Sequence, residues 1–96
     1  MSTLPEIKTT IKTLLRKYDA EYALLFGSYA RGDANENSDV DVVVFGGDRF
    51  KKVNIFAFAE ELRQITGKNV DAFEICEINQ LSPFYNNVIK EGIKIA

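Results

Sequence analysis

The sequence predicts an α/β domain in which helices cover a single small β-sheet. Three observations predict it: apolar residues recur at helical spacing in two separate segments, short apolar runs lie between and after them with the two between closed by glycine, and helix and strand signals alternate along the chain. Its 96 residues are enough for one core and too few for two, so residues 1–96 are read as one domain.

The first element, "STLPEIKTTIKTLLRKY" (2–18), reads as a helix because Ile7, Ile11, Leu14 and Leu15 share one face. Thr3 and Glu6 have the spacing of a capping box, and Pro5 falls in the first turn, where its missing N–H costs nothing. "EYALLF" (21–26) is a buried strand ending at Gly27, and "SYARG" (28–32) a short helix stopped by Gly32. "DVDVVVF" (39–45) is a β-branched strand closing at Gly46-Gly47. Alternation puts Asp39, Asp41, Val43 and Phe45 on one face and Val40, Val42 and Val44 on the other.

Between Phe50 and Thr66 the apolar positions Ile55, Phe58, Leu62 and Ile65 predict a second long helix, ended by Gly67. "NVDAFEI" (69–75) is a third strand and carries Asp71. Ser82 as N-cap, Pro83 at the first helical position and Gly92 past the end predict a last helix, followed by an extended "IKIA" tail. There is no internal repeat, low-complexity tract or linker.

Composition narrows the chemistry. Apolar residues at 46% and charged residues at 27% give an ordinary globular balance, and no apolar run approaches the roughly 18 residues of a membrane span. The N-terminus has neither a basic leader nor an apolar signal region, so a cytoplasmic protein is expected. A net charge of −2 offers no basic footprint for long nucleic acid. With no histidine and one cysteine, an internal disulfide, a cysteine-based zinc site and a histidine base are all excluded. Any metal has to be oxygen-ligated, which points to a hard ion such as Mg²⁺ or Mn²⁺.

Asp39 and Asp41 are the residues that could hold such an ion. Two apart on a strand, they leave the same face with Cα atoms roughly 6.5–7 Å apart. Bare carboxylates so placed repel, and a divalent cation, or a pair of them, relieves that repulsion while supplying what phosphoryl-type transfer needs. Gly27-Ser28 opens the short helix, where free N–H groups, close backbone approach and a hydroxyl make a phosphate cradle. Asp71 reaches the same site if the third strand lies beside the second, as a third ligand and a base for an attacking hydroxyl. Arg31 is either a phosphate contact or one half of an exposed salt bridge. Ser38 reads as a turn residue bonding local backbone. Phe50, Phe56, Phe58, Phe73, Phe84 and Tyr85 read as packing, Cys76 as a small buried hydrophobe, and residues 49–52 as a solvated basic turn.

"GSYARGDANENSDVDVVVF" (27–45) resembles the nucleotidyltransferase signature of the DNA polymerase beta superfamily, in which Gly-Ser is followed after ten residues by Asp-x-Asp. Gly27-Ser28, Tyr29 to Ser38, and Asp39-Val40-Asp41 fit it without a gap, and the "ARG" and "SD" around them are typical of the minimal nucleotidyltransferase branch. Asp71 matches the third carboxylate of the family, and the resemblance covers nearly the whole chain. It implies a mixed-sheet α/β fold, two Mg²⁺ ions, and transfer of a nucleoside monophosphate from ATP or another nucleoside triphosphate to a hydroxyl with loss of pyrophosphate. Gly27 and Ser28 would then hold the triphosphate, with Arg31 beside them if it takes the phosphate role left open above, Asp39 and Asp41 the metals, and Asp71 the metal nearest the acceptor while it takes that hydroxyl's proton. Small members resemble the antitoxin of a two-gene module, silencing a helical HEPN ribonuclease by adenylylating its tyrosine; this implies a protein partner and leaves self-association open. Two other readings stay open: a non-catalytic antitoxin acting by contact alone, and transfer to a small aminoglycoside-type acceptor.

Overall fold

The computed structural model describes residues 3–95. Ser2 of the first expected helix and Ala96 of the expected tail lie outside the described residues. The elements run α1 (Leu4–Lys17), β1 (Tyr22–Phe26), α2 (Ser28–Arg31), β2 (Val40–Phe45), α3 (Asn54–Thr66), β3 (Val70–Glu74), a 3₁₀ turn (Ile75–Glu77), α4 (Pro83–Glu91) and β4 (Ile93–Ile95).

Local chemistry sets these boundaries. The Thr3 side chain accepts from the Glu6 N–H while Glu6 accepts from the Thr3 N–H at 2.8 Å, so the capping box is complete. Gly32 and Gly67 close α2 and α3 in the left-handed conformation. At α4 the Ser82 hydroxyl accepts from the Tyr85 N–H at 3.2 Å, ahead of Pro83 in the first turn.

The four strands form one sheet in the order β3-β2-β1-β4. β1 is antiparallel to β2 and to β4, while β2 and β3 are parallel, so the sheet is mixed as expected. Parallel neighbours need a crossover, and α3 supplies it. One face is closed by α1 and α3: Ile7, Ile11, Leu15, Ile55, Phe58 and Leu62 pack with Ala23, Leu25, Val40, Val42 and Val44. Each fully buried side chain of this size contributes roughly 1.5–3 kcal/mol, so this layer is the main source of stability. The other face carries Leu24 and Val43 against Val88 of α4, with Tyr22, Phe26, Phe45 and Phe73 around them only partly buried.

Several expectations are corrected. The "IKIA" segment is extended as expected over Ile93–Ile95, and these residues go further than a tail by pairing with β1, supplying hydrogen bonds that β1 would otherwise lack on that side. α3 starts at Asn54, with Phe50 buried in the loop before it. Ile65 is exposed and Thr66 takes the inward position. At about 100° per residue, Thr66 returns to within roughly 20° of Ile55, whereas Ile65 lies some 80° away, about ten residues on. Phe56, one step beyond Ile55, is turned outward for the same reason and is 73% exposed, so it is no part of the core. Cys76 is exposed, because it sits in the 3₁₀ turn that follows β3 and not on the strand. Among the described residues no helix is long and apolar enough to cross a membrane.

Candidate active site

The sheet register assembles the site. β1 runs toward the end of the sheet at which β2 begins, so Phe26 pairs with Asp41, and the parallel β3 places Asp71 opposite Asp41 on the other side. Phe26, Asp41 and Asp71 therefore form one row across three strands, with their side chains on the same face. The next row on that face holds Leu24, Val43 and Phe73. Phe84 of α4 packs edge-on against both Phe26 and Phe73, at ring-centroid distances of 5.4 and 5.9 Å.

Asp39 lies just before β2 and is exposed; Asp41 is half-buried and Asp71 exposed. Burial, then the charge and hydrogen bonding of Asp71, then the charge of Asp39 raise the Asp41 carboxyl to about 6, with Arg31 opposing them. Proximity of the three carboxylates and Arg31 is thus visible in what they do to Asp41.

Gly27 turns the chain from β1 into α2 with φ 73° and ψ −146°, a conformation that only glycine adopts readily. A Cβ there would collide with Asp41 Oδ2 and stand 3.3 Å from its Cγ. The Gly27 backbone is therefore pressed against the Asp41 carboxylate, and its carbonyl accepts from the N–H groups of Ala30 and Arg31, each at 3.1 Å. Ser28 is the first residue of α2 and half-buried. Arg31 is exposed and pairs with Asp33 at 3.6 Å, the second of the two roles expected for it. Ser38 acts as the turn residue expected, its hydroxyl accepting from the Asn35 N–H at 2.8 Å. Among the described residues no group of three His, Cys, Asp or Glu side chains is already arranged as a metal cage.

A cleft of about 220 Å³ opens beside Gly27, bordered by Phe26, Arg31, Phe84, Asn87 and Glu91. Asn87 and Glu91 were not singled out in the sequence. Their helix is legible from its caps, but only its docking against the end of β1 brings them here.

The chain and its fold have counterparts among known proteins. Residues 9–96 match the family described as polymerase beta, nucleotidyltransferase. Two Methanocaldococcus jannaschii proteins, each named "Putative protein adenylyltransferase", are similar along nearly their whole length. One is 31% identical over 90 residues, covering 94% of this chain and 95% of the relative; the other is 35% identical, covering 97% of each. A solved structure described as a "putative minimal nucleotidyltransferase" superposes with a TM-score of 0.75 at 25% identity, covering 94% of this chain and 90% of that one. The fold is also that of a toxin-antitoxin crystallised with AMP-PNP (TM-score 0.78, 24% identity, 93% and 72% covered). It is shared too by a chain of the tri-AMPylated Shewanella oneidensis HEPN toxin in complex with its MNT antitoxin (TM-score 0.71, 21% identity, 94% and 69% covered).

Proposed function

This chain belongs to the polymerase beta nucleotidyltransferase family, and from that premise we propose that it moves AMP from ATP onto a tyrosine hydroxyl of a helical HEPN-type partner protein, with Mg²⁺ as cofactor. The observation that carries this reading is the row that brings Asp41 and Asp71 together beside the Gly27 turn, with Asp39 close enough to act on Asp41. The protein-acceptor part rests on the names of the relatives and on the complex in which a protein of this fold sits with its AMP-modified toxin.

The donor set fits hard divalent cations: it is all carboxylate oxygen, and burial together with the charges of Asp71 and Asp39 already raises Asp41. Asp39, Asp41 and Asp71 would hold two ions, which when bound neutralise the triphosphate and the carboxylates together. The chain's own groups then divide the work. Gly27 gives close backbone approach and Ser28 a hydroxyl and an N–H to the triphosphate, with Arg31 free to leave its exposed pair with Asp33 for a phosphate oxygen. Asp71, exposed at the rim, accepts the proton of the acceptor hydroxyl. The hydroxyl oxygen forms the new bond to the α-phosphorus, the bond from that phosphorus to the bridging oxygen breaks, and pyrophosphate leaves with the electron pair.

The test is to incubate the purified protein with Mg²⁺ and ATP labelled at the α-phosphate, with and without the product of the neighbouring gene. Label is expected on the partner and lost in the Asp39→Ala/Asp41→Ala variant. A stable complex that takes no label from any of the four nucleoside triphosphates overturns the proposal in favour of an antitoxin acting by contact alone.

A further inference from the structure

Lys68 is buried, with only 7% of its surface exposed, yet among the described residues no carboxylate stands within ion-pair distance of it. A buried ammonium is costly unless its donors are met. Here they are met by backbone: Nζ donates to the carbonyl of Glu36 at 2.9 Å and to that of Asn35 at 3.4 Å, and it lies 5.7 Å from the centre of the Tyr29 ring. The backbone around Lys68 is fixed as well. Its N–H donates to Thr66 Oγ1, and the carbonyl of the next residue, Asn69, accepts from Val40 N–H at 2.9 Å, at the first position of β2.

These contacts converge on residues 32–39, the segment joining the two halves of the active site. Its hydrogen bonds among Asn35, Asn37 and Ser38 fold the segment on itself. Lys68 instead ties its middle to the body of the protein, while touching Tyr29, the residue after Ser28, and leaving Asp39 three residues downstream of Glu36. We propose that Lys68 is a positioning residue: its buried ammonium fixes where Asp39 stands relative to the Gly27-Ser28 turn. The proposal rests on the reading of Asp39 as part of the transferase site.

The test compares Lys68→Met, which keeps length and apolar volume but removes the donors, with Lys68→Arg, which restores them. Two readouts are taken on folded protein: hydrogen exchange of the amides in residues 35–40, and the kcat and KM of adenylyl transfer. Lys68→Met is expected to speed exchange in this segment about tenfold while α1 and α3 stay protected. It should lower kcat roughly 10- to 100-fold with KM for ATP changed much less, the pattern of a misplaced catalytic group. Lys68→Arg recovers most of both. A folded Lys68→Met protein with unchanged exchange in residues 35–40, or with kcat and KM lowered and raised in step, overturns the proposal. Should Lys68→Met fail to fold, Lys68→Gln, one bond shorter and uncharged so that it cannot span to both the Asn35 and Glu36 carbonyls, takes its place against Lys68→Arg, with the same outcomes deciding. If wild type itself transfers nothing, the function assigned above fails, whereas the exchange experiment still decides whether Lys68 holds the segment.

Discussion

At the scale of single residues, Gly27 and Asp41 are one problem. The chain must turn sharply from β1 into α2 at the point where β2 presents a half-buried carboxylate, and only a residue without a side chain leaves room. Gly27→Ala is expected to lose about 1–3 kcal/mol from backbone strain alone, measured by denaturant midpoint, and to lose more in transfer rate than that destabilisation accounts for, because the new methyl displaces the Asp41 carboxylate. Asp41 makes a second prediction. Its folded-state carboxyl is raised to about 6, so the folded chain holds that proton more tightly than the unfolded one. The associated stability is fully present below the unfolded value near 4 and is lost as pH rises through about 6. Without divalent cations, the melting temperature of Asp41→Asn relative to wild type should therefore rise between pH 4 and pH 7. A difference that stays flat or falls across that range would show that neither burial nor its acidic neighbours raise the Asp41 carboxyl in the folded chain.

At the scale of elements, α4 is the piece whose helical signal is local and whose role is not. Its Ser82 hydroxyl both accepts from Tyr85 N–H and donates to the Asn79 carbonyl at 2.6 Å. Ser82→Ala is expected to cost about 1 kcal/mol, read from the denaturant midpoint, and to loosen Phe84 from Phe26 and Phe73 beside the site. The caps of α1 and α4, the stop at Gly67 and the alternation of β2 were legible because each depends on neighbours within a few residues. Asp39, Asp41 and the Gly27-Ser28 turn were legible for the same reason, and Asp71 only on the supposition that its strand lies next to β2. What remained hidden depends on partners far along the chain. Ile93–Ile95 form a strand only because β1 offers them an edge, and Lys68, an ordinary loop lysine in the sequence, is buried only because residues 35 and 36 fold over it. The outward turn of Phe56 was available in the helical period, since an aromatic one step from Ile55 cannot share its face.

At the scale of the whole molecule, the two faces of the sheet are unequal, and that inequality links stability to function. The face under α1 and α3 is closed and apolar, while the other is covered by the nine-residue α4 and ends in a row with two carboxylates. The fold therefore gathers like charge at an exposed end of this less covered face, where a bound cation would balance it. A divalent cation that binds the folded state alone adds RT ln(1 + [L]/Kd), about 2.7 kcal/mol when its concentration is a hundred times Kd. The melting temperature should accordingly rise with Mg²⁺ at pH 7.5, where Asp41 is ionised, and rise far less at pH 5, where a proton occupies the place of the cation. Asp39→Asn/Asp41→Asn should remove the pH 7.5 response while leaving the protein folded, because neither residue belongs to the closed apolar layer. A Mg²⁺ response of equal size at both pH values, or one that survives in the double variant, would place the cation elsewhere and leave the charge at the open end of the sheet to be balanced by the nucleotide's surroundings or by the partner protein.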